Sequence, residues 1–146
     1  LAPTTPEGAV ASTAPFGNVE PAFDACELMA AAGATFVARV VAYEAPKLVD
    51  VIEAALAHRG CSFIDVVSDC PVYYGRRNRL GEAVDELRYY RENTVVENFA
   101  PLEELDIGLG EKVVVGKFVE KERPTLGELL GETLVHKAQE AAAPRS

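Results

Sequence analysis

The sequence predicts an α/β fold built on parallel strands with flanking helices. Three observations point there. Helical and strand-like segments alternate between residues 23 and 67; a strongly amphipathic helical pattern occupies 47–60; and two short runs rich in β-branched residues, TFVARVVAY and CSFIDVV, stand on either side of it. Helix, strand, helix, strand in this order supplies the crossover that a parallel pair of strands needs.

Each element follows from its residues. Residues 1–22 carry prolines and glycines but no helical or strand period, and read as an extended loop. FDACELMAAAGA, 23–34, reads as a helix, with Asp24 as its cap, Glu27 three residues on as in a capping box, and Gly33 as its stop. TFVARVVAY, 35–43, is β-branched and aromatic and reads as a strand. KLVDVIEAALAHRG, 47–60, places apolar residues at 48, 49, 51, 52, 55 and 56, one face of a helix, with Pro46 in its first turn and Gly60 at its end. CSFIDVV, 61–67, has few alternating polar positions and fits a strand buried on both faces.

The polar segment SDCPVYYGRRN, 68–78, leaves that strand. GEAVDELRYYREN, 81–93, reads as a helix, FAPLEELDIGLGE, 99–111, as a loop, and KVVVGKFVE, 112–120, as a strand. A last helix begins at about residue 125, where Thr125 and Glu128 form a second capping-box pattern. Leu126, Leu129, Leu130 and Leu134 make its apolar stripe, and the AQEAAAPRS end, 138–146, reads as frayed.

Composition narrows the function classes. The 146 residues suit one domain or a large piece of one, and 49% apolar with 25% charged residues fits a globular chain with a core. A net charge of −9 opposes binding to nucleic acid, which needs basic surface, and to an anionic membrane. No apolar run approaches the roughly 20 residues of a membrane-spanning helix. Three cysteines, Cys26, Cys61 and Cys70, match no compact zinc spacing and no disulfide scaffold, so a reduced, cytoplasmic setting is expected. A first residue other than Met, followed by a long aperiodic opening, leads us to expect a piece of a longer polypeptide.

The chemistry concentrates at 68–78. Cys70 ends an apolar run and is followed by Pro71, Tyr73, Tyr74 and the arginines Arg76, Arg77 and Arg79. Ligands collect outside the carboxyl ends of parallel strands, which is where this segment falls. Three readings of Cys70 stand side by side: an inert packing thiol, a nucleophile, or one ligand of a metal centre. A nucleophile needs a base, and neither His58 nor His136 is near it in sequence. A metal ligand needs partners. Cys26 and Cys61, within or beside apolar elements, read as packing residues, and both histidines as structural. The arginines suit a carboxylate or phosphate, or ion pairs with the acidic helix that follows. The two tyrosines read as packing residues with hydroxyls at the rim, and VEKER, 119–123, as surface. GLGE, 108–111, lacks the strand–helix setting of a nucleotide-binding loop, and no Walker, HExxH or GxSxG pattern is present.

Four ordered blocks carry a resemblance: PTTPEG; TAPFGNVEP with FDACELMAAAGATFVAR; FIDVVSDCPVYYGRRN; and VVVGKFVEKERPTLGEL. Together they resemble the C-terminal half of the β subunit of 2-oxoacid:ferredoxin oxidoreductases, most closely the 2-oxoglutarate type. The resemblance implies the C-terminal half of a thiamine diphosphate-binding fold in residues 1–93, followed by a strand–helix extension, 94–146, in contact with other subunits. It implies thiamine diphosphate, Mg²⁺ and one [4Fe–4S] cluster as cofactors. Cys70 matches the position of the fourth cluster ligand, and Cys26 and Cys61 match none. The family's CxxC pair, third cysteine and GDG…N motif do not occur in the sequence and are expected upstream of Leu1, so that this chain is not active alone. The implied partners are an α subunit, ferredoxin, the 2-oxoacid and coenzyme A, and the implied reaction is oxidative decarboxylation with electrons passing through the cluster. Arg76 or Arg77 is expected to raise the cluster potential or to meet an acidic partner. The alternatives are pyruvate or another 2-oxoacid as substrate, a thiamine enzyme without the cluster, and a non-catalytic α/β interaction domain.

Overall fold

A computed structural model describes residues 1–142. The expected fraying of 138–146 falls partly outside the described residues. The elements are α1 (Ala25–Ala31), β1 (Phe36–Val41), α2 (Ala45–Ala57), β2 (Ser62–Val67), a single π-helical turn (Pro71–Gly75), α3 (Ala83–Asn93), β3 (Thr94–Val96), a short 3₁₀ turn (Leu102–Glu104), β4 (Val113–Glu120) and α4 (Leu126–Ala142). The four strands form one sheet in the order β2-β1-β4-β3.

The crossover β1-α2-β2 gives the expected parallel pair, with Val37 opposite Phe63, Arg39 opposite Asp65 and Val41 opposite Val67. β3 and β4 are also parallel, whereas β4 runs antiparallel to β1, with a register irregularity at Val37/Ala38. The stretch after residue 93 thus supplies two strands to the same sheet, one of them central. β3 has no counterpart among the expected elements, because three residues are too few to show a period.

β1 is the spine of the molecule, buried along all six residues. Its pleat alternates faces, so Val37, Arg39 and Val41 share one side. Val37 joins a cluster with Cys26, Leu105, Phe118 and Val119; Val41 joins a second with Tyr90, Val113 and Val115. Arg39 stands between these two apolar patches.

The caps form where the sequence places them, although at α1 only the Asp24 half of the expected box is made. The Asp24 carboxylate accepts from the Cys26 and Glu27 backbone N–H groups at 2.8 and 3.0 Å, and Gly33, with φ of 96°, ends the helical stretch. At α4 the box is reciprocal: the Glu128 N–H donates to Thr125 Oγ1 at 3.3 Å, and the Thr125 N–H donates to Glu128 Oε2 at 2.8 Å. His58 closes α2 with its Nε2 2.8 Å from Thr35 Oγ1 and its ring beside Phe36, the structural role expected of it.

Three burial expectations need correction. β2 is not buried on both faces: it is the edge strand, and Val66 is 42% exposed. Cys61 is not a packing residue either. It is exposed, because it precedes that edge strand rather than lying in the core. The apolar faces of α2 and α4 are covered only in part: Leu48, Val51 and Ala55 of α2 are half-buried toward the sheet, while Leu56 is 81% and Leu134 65% exposed.

The aperiodic opening is ordered without being helix or strand. Asn18 Nδ2 donates to the Thr5 and Glu20 carbonyls, each at 2.9 Å, and its Oδ1 accepts from the Glu20 N–H at 3.1 Å. Around this plug the chain closes a loop, with the Gly8 N–H donating to the Asn18 carbonyl and the Asn18 N–H to the Ala9 carbonyl.

Candidate functional site at the strand ends

A cavity of about 950 Å³ lies at the carboxyl end of β2, with Arg39 of β1 reaching it. Its walls come from the opening arm (Thr4 to Gly8), the start of α1, the end of β2, and the 106–111 loop. Cys70 and Tyr74 close one side. This is the face where sequence reasoning expected a ligand.

The floor is a buried charge network. The parallel register sets Arg39 beside Asp65, and the guanidinium Nε donates to Asp65 Oδ2 at 2.8 Å. Nη1 donates to the Leu105 carbonyl at 2.6 Å, and Nη2 pairs with the Asp24 carboxylate. Arg39 is 2% and Asp24 5% exposed, whereas the Asp65 side chain reaches the cavity at 25%. Removing one partner from a buried pair of this kind costs about 3–5 kcal/mol, because the other charge is left uncompensated. Asp24 therefore does two tasks: one oxygen caps α1 and the other ties the cap to the sheet. The sequence suggested only the cap.

Cys26 packs beneath this network, fully buried, its Sγ 3.9 Å from the Ala38 carbonyl. Burial pushes its thiol up to about 12 against the opposing pull of Arg39, so it stays protonated and inert. That bears out its expected packing role.

Cys70 is a free, exposed thiol three residues beyond the end of β2. Its carbonyl accepts from the Tyr74 and Gly75 N–H groups, both at 3.0 Å, which starts the π-helical turn. Beneath that turn lies Glu86, fully buried against Gly75, with neither carboxylate oxygen in ordinary hydrogen-bond geometry. Burial raises the Glu86 pKa, Asp69 adds to the rise, and the Cys70 backbone N–H opposes it. Tyr74 is half-buried and its hydroxyl is pushed up to about 12, first by burial. Tyr73 is 68% exposed, so only Tyr74 has the expected packing role.

The arginines part company. Arg76 Nη2 donates to Glu82 Oε2 at 2.8 Å on the exposed side, the ion pair with the acidic helix that the sequence allowed. Arg77 and Arg79 are exposed and form no ion pair with a described residue. Asn78, passed over in the sequence, turns inward and bonds the opening arm: it accepts from the Val10 N–H at 2.7 Å and donates to the Val10 carbonyl at 3.1 Å.

Among the described residues no three His, Cys, Asp or Glu side chains converge to hold a metal. Cys61 cannot join Cys70, since β2 separates them by about 20 Å of extended chain. Cys70 offers one accessible thiol at this face. Among the described residues no group of three carboxylates is placed to hold Mg²⁺, and no GDG motif occurs in the sequence. Among the described residues no helix is long and apolar enough to cross a membrane.

Comparisons with known proteins bear on the fold and on the chain's relatives. The family model described as "Thiamine pyrophosphate enzyme, C-terminal TPP binding domain" matches residues 2–66. The 2-oxoglutarate synthase subunit KorB of Methanothermobacter thermautotrophicus is 41% identical over 128 residues, which is 88% of this chain and 44% of that protein. The subunit of the same name from Methanocaldococcus jannaschii is 40% identical over 130 residues, 89% of this chain and 48% of that protein. A solved 2-oxoglutarate:ferredoxin oxidoreductase from Magnetococcus marinus, with 2-oxoglutarate, coenzyme A and succinyl-CoA bound, shares the fold: TM-score 0.71 and 24% identity, over 98% of this chain and 52% of that one. The chain spans about half the length of the curated relatives it matches. Over 88–89% of its own length the chain is thus similar to the KorB subunits of 2-oxoglutarate synthases.

Proposed function

We propose that the chain is part of the β subunit of a cytoplasmic 2-oxoacid:ferredoxin oxidoreductase acting on 2-oxoglutarate. The observation that carries this reading is the position of Cys70: an accessible thiol on the rim of a cavity at the carboxyl end of β2 in a parallel strand pair. In this reading Cys70 is one of four thiolate ligands of a [4Fe–4S] cluster, and the other three, with the Mg²⁺–diphosphate motif, come from outside this sequence. Residues 1–93 form the C-terminal part of the thiamine diphosphate-binding domain, and 94–146 an extension that contacts other subunits.

When bound, thiamine diphosphate would supply the carbanion chemistry of decarboxylation, and a cluster held in part by Cys70 would supply the path for electrons. The residues seen here bind and orient. The Asp24–Arg39–Asp65 network fixes the cavity floor, so that the ends of β1 and β2 do not shift with occupancy. The arm from Thr4 to Gly8 forms a wall against water. The π-helical turn follows directly on Cys70, and the Arg76–Glu82 pair leaves Arg77 as an exposed cation of the same segment for tuning the potential or meeting an acidic partner.

The names of the KorB relatives support 2-oxoglutarate over pyruvate. The test is coenzyme A-dependent reduction of ferredoxin or a viologen dye by the assembled enzyme, with 2-oxoglutarate, pyruvate and a branched 2-oxoacid in parallel. We expect kcat/KM for 2-oxoglutarate to exceed the others by tenfold or more, about 1.4 kcal/mol of discrimination. Equal or higher kcat/KM with pyruvate would reject the substrate assignment.

A further inference from the structure

Asn78 sits at a junction that the proposed reaction has not used. Its side-chain amide pairs with both backbone groups of Val10, accepting from the N–H at 2.7 Å and donating to the carbonyl at 3.1 Å. It thereby presents to the arm the donor–acceptor pair of a neighbouring strand. The same Nδ2 also donates to the Tyr74 carbonyl at 2.9 Å, and the Asn78 backbone N–H donates to that carbonyl at 3.0 Å. Tyr74 in turn donates its N–H to the Cys70 carbonyl at 3.0 Å. On the arm side, the neighbours of Val10 are held by the Gly8–Asn18 and Asn18–Ala9 backbone bonds, and Gly8 lines the cavity. A run of hydrogen bonds therefore leads from Cys70 through Tyr74 and Asn78 to Val10, 68 positions away in sequence, and Val10 lies two residues along the chain from Gly8 in the cavity wall.

The chemistry of the position favours asparagine. Val10 offers one donor and one acceptor, and only a side-chain amide answers both from a single planar group. A carboxylate keeps the acceptor and loses both donors. Leucine, of similar size, loses all three side-chain bonds and leaves the partly buried Val10 groups unmatched.

We propose that Asn78 is a positioning residue that locks the Cys70 turn to the arm lining the cavity, so that the thiol and the cavity wall move as one body. The proposal rests on the reading of Cys70 as a cluster ligand only for its consequence, namely that loosening the lock exposes the cluster.

The experiment uses the assembled enzyme and compares wild type with Asn78→Ala and Asn78→Asp. Amide hydrogen exchange is followed in three segments: the arm 8–18, the turn 70–78, and β1 as internal reference. With Asn78→Ala, exchange is expected to rise about tenfold in both the arm and the turn, and to stay unchanged in β1. Asn78→Asp retains the bond from the Val10 N–H and is expected to give a smaller rise in the arm. Iron loss to a chelator should accelerate at least threefold in Asn78→Ala. A rise confined to one of the two segments, no rise in either, or an equal rise in β1 would overturn the lock. If Asn78→Ala does not assemble, Asn78→Asp decides by the same criterion on the same segments. A wild-type assembly without iron would end the cluster reading alone, since the exchange data still decide on Asn78.

Discussion

Cys26, Cys61 and Cys70 are one residue type in three environments, and their reactivities should separate accordingly. Cys26 is fully buried beside Arg39 and its pKa is pushed from about 9 to about 12, chiefly by burial. A thiol whose folded pKa exceeds its unfolded one favours the fold fully below the unfolded value. That contribution is lost as the pH climbs through 9 toward 12. In metal-stripped native protein at pH 8, iodoacetamide should therefore modify Cys61 and Cys70 but not Cys26, and Cys26 should react only after denaturation. Mass mapping of the alkylated peptides checks this, and native labelling of Cys26 would contradict its burial. At this scale the sequence was partly legible. Cys70 stood out by its strand-end position, whereas Cys61 was misjudged because burial of its neighbours was assumed to extend to it. Arg39 left a signal that went unused: a lone cation in TFVARVVAY has no place in a buried strand without a partner, and Asp65 in the next strand is that partner.

At the scale of elements, the capped helices and the β1-α2-β2 crossover were readable, because caps and periodicity are local properties of the chain. What was not readable depends on partners distant in sequence. β2 has the composition of a buried strand but lies on the sheet edge, and β4 turns antiparallel to β1 through contacts that no local pattern encodes. Close approach between β4 and the chain after β3 is a further case. Gly116 has φ of 141°, and a Cβ there would fall 2.8 Å from the Glu97 carbonyl oxygen. That oxygen is backbone and cannot swing aside, so Gly116→Ala combines strain with overpacking. A loss of about 1–3 kcal/mol is expected in urea unfolding. A change below about 0.5 kcal/mol would mean that β3 and β4 do not meet as described.

At the scale of the whole molecule, two features stand together: a cavity whose floor is a buried ion network, and partly open apolar faces on α2 and α4. A polar, constrained site on one side and partly covered apolar helices on others suit a chain that works within a larger assembly. The acidic balance, a net −9, is compatible with this and leaves the exposed arginines of the 76–79 segment as a local exception. The central claim is that Cys70 holds a cluster, and the most direct measurement is iron content with the electron paramagnetic resonance spectrum of the reduced, assembled enzyme carrying Cys70→Ser. The expected result is loss of most of the iron, or a cluster with an altered spectrum that falls apart on brief exposure to air, while the protein's thermal unfolding in the metal-free state stays unchanged. A full complement of iron, with a spectrum and air stability equal to wild type, would contradict it.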